Sequence, residues 1–123
     1  MELFDNINNL YNEKRKYVND YLKELKKYPY IYLWGISESC DEAITFFTKN
    51  NIVIKSIYEL YPEKYGYKYR NIDVIKQSFD DIDQDGAIIV TCSYYETIKN
   101  KLLVHYEDIE QRLFLFDGYF LEN

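Results

Sequence analysis

The chain has 123 residues, 47% of them hydrophobic, and a net charge of −6. This length and composition suit one folded domain and exclude a disordered tail. The acidic balance argues against binding to nucleic acid or to an anionic membrane surface, both of which attract Lys and Arg. No apolar run approaches 18 residues, and the N-terminal residues lack the apolar centre of a signal peptide, so we expect a cytoplasmic protein without a membrane span.

Cysteine and histidine are too few for most metal or catalytic sites. The two cysteines, Cys40 and Cys92, have no CxxC spacing, which indicates a reducing compartment and no metal site. The single histidine, His105, cannot form a His-based metal site or a triad by itself. We therefore predict no catalytic residue, no metal and no bound cofactor.

The first predicted element is a long helix over residues 2–27. Apolar side chains recur there every three or four residues, with polar residues between them. Pro29 ends this helix because it has no N–H to donate. The prediction divides the chain into an N-terminal helix, residues 1–28, and a Rossmann-like region, residues 29–123, within one compact domain overall.

Strands and helices alternate along the rest of the chain. Short apolar runs rich in β-branched and aromatic residues predict five strands, over residues 30–35, 52–60, 72–75, 87–93 and 112–120. Apolar periodicity predicts helices over about 40–49 and 94–103, with a further helical turn at 78–82. Alternation favours parallel pairing and right-handed crossovers. The predicted fold class is therefore α/β: a small doubly wound Rossmann-like parallel sheet of order 3-2-1-4-5, preceded by the long helix.

The turn after the first predicted strand is the main candidate site, because ligands of such sheets bind beyond the carboxyl ends of the strands at the switch point. The predicted cleft lies between residues 35–40 and residues 91–95. A dinucleotide site has GxGxxG at this turn, whereas residues 35–40 read GISESC, which argues against a tight NAD or FAD site. Two interpretations stay open: a looser phosphate or nucleoside contact through Gly35, Ser37 and Ser39, or a helix cap alone.

Other candidate ligand residues follow the second and fourth predicted strands. Glu59 lies 24 residues after Gly35, close to the spacing at which an acidic residue binds ribose hydroxyls, although a Glu exposed at a strand end is also common. Ser93, Tyr94 and Tyr95 follow the fourth strand, where the tyrosines could stack on a base or sugar, or simply cover the sheet.

Two further clusters favour structural interpretations. Cys40 lies near a predicted helix N-terminus, which can lower a thiol pKa, but the flanking acidic residues oppose that shift, so we expect inert thiols at Cys40 and Cys92. Asp80, Asp81, Asp83 and Asp85 lack the register of a calcium loop and predict a solvated turn.

Several segments between about Tyr30 and Leu103 together resemble one known domain: YIYLWG, IVIKSIYE, YPEKYG, NIDVI, SFDDI and GAIIVTCSYYETIKNKL. This stretch, about three-fifths of the chain, is similar to the small Rossmann-like domain found beside FkbM-type methyltransferases and at the sugar-nucleotide-binding end of PglD-type acetyltransferases, enzymes of bacterial surface polysaccharides. The resemblance aligns Glu59 with the strand-end Asp of the family. Ser37 and Cys40 stand where the family has glycines.

The resemblance implies a non-catalytic accessory domain that binds a nucleotide or nucleotide sugar, with the chemistry in a neighbouring transferase. The alternative is a protein-interaction or dimerisation module that has lost its ligand, in which the long N-terminal helix pairs with its own copy or with a catalytic partner. A third hypothesis, an enzyme, lacks a visible acid–base pair, nucleophile–base pair or metal set.

Overall fold

The computed structural model describes residues 2–116, with side chains from residue 8 onward. Its helices are α1 (Glu2–Leu25), α2 (Glu38–Lys49) and α3 (Tyr95–Leu103). Its strands are β1 (Ile31–Trp34), β2 (Ile54–Glu59), β3 (Lys68–Tyr69), β4 (Ile72–Lys76), β5 (Ala87–Val90) and β6 (Leu113–Leu115). Short 3₁₀ turns lie at Pro62–Tyr65 and Ile109–Gln111. The predicted α/β class and N-terminal helix are confirmed; residues 117–120 of the last predicted strand lie outside the described residues.

The strands form one mostly parallel sheet of order β3-β4-β2-β1-β5-β6. Only β3 and β4 pair antiparallel. This order differs from the predicted 3-2-1-4-5, because the segment interpreted as a polar loop contributes the extra edge strand β3. Arg70 and Asn71 both have positive φ, 49° and 67°. Such a two-residue turn folds β3 back on β4 as a tight hairpin.

The sheet is not doubly wound as predicted. The connections from β2 to β4 and from β4 to β5, both of which the structure describes in full, contain no α-helix. The helical turn predicted at 78–82 is therefore wrong. The segment 77–86 instead runs as a loop anchored by Ile82, whose side chain is buried and whose N–H donates to the hydroxyl of Tyr106 at 3.1 Å.

Each face of the sheet has its own apolar core, because successive strand residues point to opposite faces. On one face, Ile31 and Leu33 of β1 pack with α2 side chains such as Phe47. On the other face, Trp34 packs with α3 side chains such as Leu102. All four residues of β1 are buried, as expected for a central parallel strand.

Helix α1 packs on the first face through its last turns. Leu25 is fully buried, and Val18, Tyr21 and Leu22 lie against the same core. The ring of Tyr21 is 6.4 Å from that of Phe47. No helix among the described residues is both long and apolar enough to span a membrane.

Candidate functional site

Two clefts lie side by side where β1 and β5 end. After β1 the chain enters α2 on one face of the sheet, and after β5 it enters α3 on the other face. This reversal is the topological switch point, where ligands of open α/β sheets usually bind. The first cleft, here called the serine cleft, measures about 410 Å³ and is lined by Ser37, Glu38, Ser39, Thr91, Cys92, Ser93, Tyr94 and Phe116.

The second cleft, here called the aromatic cleft, measures about 330 Å³ and opens on the α3 side. It shares Cys92 and Tyr94 with the serine cleft. Gly35 and Glu59 also line it, together with four residues that carry its chemistry: Trp34, Gln77, Phe79 and Lys101.

Gly35 is required by packing between β1 and β5. Its φ is +101°, a conformation that side-chain-bearing residues rarely adopt. A Cβ atom added there would lie 3.1 Å from the Cβ of Cys92. The missing side chain therefore makes room for β5 as well as leaving bare backbone at the rim of the aromatic cleft.

Ser37 is the N-cap of α2, as one of the two sequence interpretations proposed. Its hydroxyl accepts a long hydrogen bond from the Cys40 N–H at 3.4 Å and donates to the Thr91 carbonyl at 2.6 Å. Because a serine hydroxyl has a single proton, this donation ties the start of α2 to the end of β5 and leaves Ser37 only acceptor capacity. Ser39 lines the serine cleft two residues further on.

Glu59 also holds the loop after β1. Its Oε2 accepts a hydrogen bond from the Ile36 N–H at 2.9 Å. A carboxylate has about four acceptor positions, so this single bond leaves the group able to accept from further donors in the aromatic cleft.

The structure separates the three predicted residues after β5. Ser93 lines the serine cleft, and Tyr94, which is 68% exposed, lines both clefts. Tyr95 lines neither: its ring packs on the second core and its hydroxyl lies 3.5 Å from the Leu113 carbonyl. Six of the seven predicted site residues thus line the two clefts at one edge of the sheet, and Tyr95 does not.

Sequence reasoning missed the aromatic wall and the cation of the second cleft. The ring centroids of Phe79 and Trp34 are 5.3 Å apart, and Lys101 Nζ lies 5.1 Å from the Phe79 ring centroid. Lys101 follows Tyr94 by seven residues, or two helical turns, a spacing that places both on one side of α3. Phe79 gave no comparable signal, because its segment has no regular periodicity.

The charges at this edge are mixed. Among the described residues that line the two clefts, Lys101 is the sole cation, whereas Glu38 and Glu59 are acidic. Cys40 is buried beside the serine cleft, and burial raises the pKa of its thiol to about 12. No set of three or more His, Cys, Asp or Glu side chains in the described part of the chain is arranged to bind a metal ion.

Comparisons with protein-family models, with curated proteins and with solved structures find no match to this chain. The resemblance to the FkbM- and PglD-type domains therefore stays a prediction. The two clefts offer aromatic faces, one cation, acceptor oxygens and small hydroxyls within one crevice. These are groups that bind a polar ligand with a planar part.

Proposed function

We propose that the chain binds a nucleotide or nucleotide sugar in the crevice formed by the serine and aromatic clefts. The observation that carries this proposal is the grouping of Phe79, Tyr94, Lys101 and Glu59 in one cleft at the switch point. Aromatic faces suit a base, an ammonium group suits a phosphate, and a carboxylate accepts from ribose or sugar hydroxyls. Ser39 and Ser93 extend the crevice with small polar groups.

We infer binding without catalysis, in an accessory domain of a transferase of surface-glycan synthesis. The link to a transferase rests on the sequence resemblance alone. A cytoplasmic location fits the two thiols, since Cys40 and Cys92 are both free and unpaired thiols are usual in reducing compartments.

Thermal unfolding in the presence of UDP-sugars, NAD and S-adenosylmethionine tests the proposal. A ligand that binds only the native state stabilises it by about 2.7 kcal/mol at 100 times its Kd. We expect UDP-sugars to raise the melting temperature of the wild-type chain. Lys101→Met and Tyr94→Ala should reduce that rise, whereas Lys49→Met and Tyr61→Ala, outside both clefts, should leave it unchanged. No rise with any of these ligands would overturn the proposal, as would equal effects of the cleft and control variants.

The exposed part of α1 favours a second function, pairing with another copy of this chain. Leu10 is 67% exposed and Tyr11 is 57% exposed. Both continue the apolar stripe through which α1 packs on its own sheet. Tyr11, Val18 and Leu25 follow one another at seven-residue steps, and Leu10 precedes Tyr21 by eleven residues, about three helical turns.

The charge order along α1 favours a second copy in an antiparallel arrangement. Acidic residues occur at Glu2 and Asp5, and a basic run occupies residues 14–16. Antiparallel pairing centred near Leu10 and Tyr11 places the acidic first turns of each helix along the basic run of the other, whereas parallel pairing places the basic runs together. Sedimentation equilibrium should show a dimer that Leu10→Glu weakens and Asn9→Glu, off the stripe, does not. A monomer at all concentrations would exclude this function.

A further inference from the structure

Trp34, the only tryptophan in the chain, lies at the base of the aromatic cleft in a cluster of tilted aromatic rings. It is 2% exposed, and its ring lies 5.0 Å from that of Tyr58 and 5.3 Å from that of Phe79. Phe79 is half-buried and lines the cleft. Of the two rings in this cluster that line the cleft, Phe79 is therefore the more exposed, and its face is the one that a bound ligand would meet.

Lys101 lies over the Phe79 ring. Its Nζ is 5.1 Å from the ring centroid, a distance at which a cation is attracted by the aromatic face. The ammonium group of a lysine, on its flexible side chain, can move from such an aromatic face to a nearby phosphate. It binds the phosphate more strongly than the ring, because the two opposite charges strengthen the hydrogen bond. The aromatic cleft thus holds one cation over a ring that packs against Trp34.

The segment that carries Phe79 is fixed at its two ends. The Gln77 N–H donates to the Glu59 carbonyl at 2.9 Å, and the Ile82 N–H donates to the Tyr106 hydroxyl at 3.1 Å. Within the described residues, positions 78–81 make no backbone–backbone hydrogen bond. The position of Phe79 along the cleft is therefore fixed by the two anchored ends, while its ring can move by small local shifts of the backbone between them.

We propose that the Phe79 face is the recognition surface for the planar base of a nucleotide, and that Lys101 moves from this face to the ligand phosphate on binding. The base then stacks on Phe79, which itself packs against Trp34. This inference rests on the proposed function and makes it more specific, since it requires a ligand with both a planar ring and a phosphate. A sugar phosphate without a base would meet Lys101 and Glu59 but would leave the Phe79 face unused.

Fluorescence of Trp34 gives a direct readout, because it is the sole tryptophan. The probes are UDP and ADP, which have a base, and pyrophosphate and ribose 5-phosphate, which do not. We expect UDP or ADP to change the Trp34 emission and to bind at least tenfold more tightly than the baseless probes. Phe79→Leu, which keeps apolar volume but removes the ring face, should weaken the base-bearing probe about tenfold, in line with typical stacking energies, and leave pyrophosphate unchanged.

Phe114→Leu is the matched control, because Phe114 is also half-buried but packs on the opposite face of the sheet. Unfolding of each variant in urea verifies that it is folded. If the baseless probes bind as tightly as UDP and Phe79→Leu alters neither, the inference fails and the proposed function stands. If none of the four probes binds the wild-type chain, both fail.

Discussion

The phenolic hydroxyl of Tyr32 donates to Asp83 Oδ2 across 2.6 Å, joining the central strand β1 to the loop before β5. Tyr30 donates to the same carboxylate at 3.3 Å, and Lys55 Nζ lies 3.5 Å from it. The Asp83 N–H in turn donates to the hydroxyl of Tyr58 at 3.2 Å. Asp83 thus fixes the loop whose other end carries the Phe79 wall of the aromatic cleft.

Removing the Tyr32 hydroxyl should destabilise the fold. Tyr32→Phe deletes the shortest hydrogen bond to a charged acceptor in this network, and such bonds contribute about 2 kcal/mol. Tyr95→Phe is a fitting control, because among the described residues its hydroxyl makes only the long contact to the Leu113 carbonyl. Urea unfolding at pH 7 should show a loss of about 2 kcal/mol for Tyr32→Phe and a much smaller one for Tyr95→Phe. Equal losses would mean that Asp83 does not hold the loop.

Acid should weaken the same network. Burial raises the pKa of Asp83, but the hydrogen bonds from Tyr32 and the Asp85 N–H and the charge of Lys55 outweigh it, so the pKa lies below its ordinary value. A lowered folded-state pKa gives stability that is full above the unfolded pKa, about 3.9, and is lost as the pH falls through the folded value.

The free energy of unfolding of the wild type, measured from pH 7 to pH 2.5, should therefore fall in acid partly through Asp83. Asp83→Asn should be less stable at pH 7 and should fall less steeply below pH 4. Asp20→Asn, on the exposed surface of α1, should keep the wild-type slope. An Asp83→Asn curve parallel to that of the wild type would contradict the assignment.

Substitutions at two glycines with positive φ distinguish the cost of backbone strain from the cost of a steric clash. Gly66 has a φ of +63° and no atom within 4 Å of an added Cβ, whereas Gly35 has a φ of +101° and the Cys92 Cβ at 3.1 Å. Gly66→Ala should cost about 1 kcal/mol through backbone strain alone. Gly35→Ala should cost more, because β5 must also move. Urea unfolding of both variants checks the difference, and a smaller loss for Gly35→Ala would show that the switch point is loosely packed.

The sequence predicts those strands and helices whose pattern of apolar residues lies within the element itself. The apolar runs of β1, β2 and β5 and the periodicity of α2 and α3 place these elements within a few residues of where the structure has them. The sequence does not predict β3, because its two residues have no apolar pattern and its turn, Arg70-Asn71, contains no glycine. The helical turn predicted at 78–82 is wrong because the conformation of the loop 77–86 depends on distant partners of Ile82 and Asp83.

The place of the candidate site could be predicted, but the roles of its residues could not. Parallel strands bring their carboxyl ends to one edge, so Gly35 and Tyr94 lie together as expected. Ser37, in contrast, gives its proton to Thr91, a contact between residues 54 positions apart. Phe79 and Lys101 come from a loop and from the second turn of a helix, and only the folded chain shows that they face each other.

The two thiols should differ sharply in their reactivity towards an alkylating agent. Labelling of Cys92 should then show whether the clefts are open or occupied by a ligand. Cys40 is buried with its pKa raised to about 12, whereas Cys92 is half-buried and lines both clefts. Because the thiolate is the reactive form, iodoacetamide at pH 8 should alkylate Cys92 first and Cys40 only after unfolding. Mass spectrometry of the native protein should locate a single label, absent in Cys92→Ser. Saturating UDP should slow the labelling of Cys92 in the native protein but not in unfolded chains. If Cys40 were labelled faster than Cys92 in the native protein, that result would contradict the burial of Cys40.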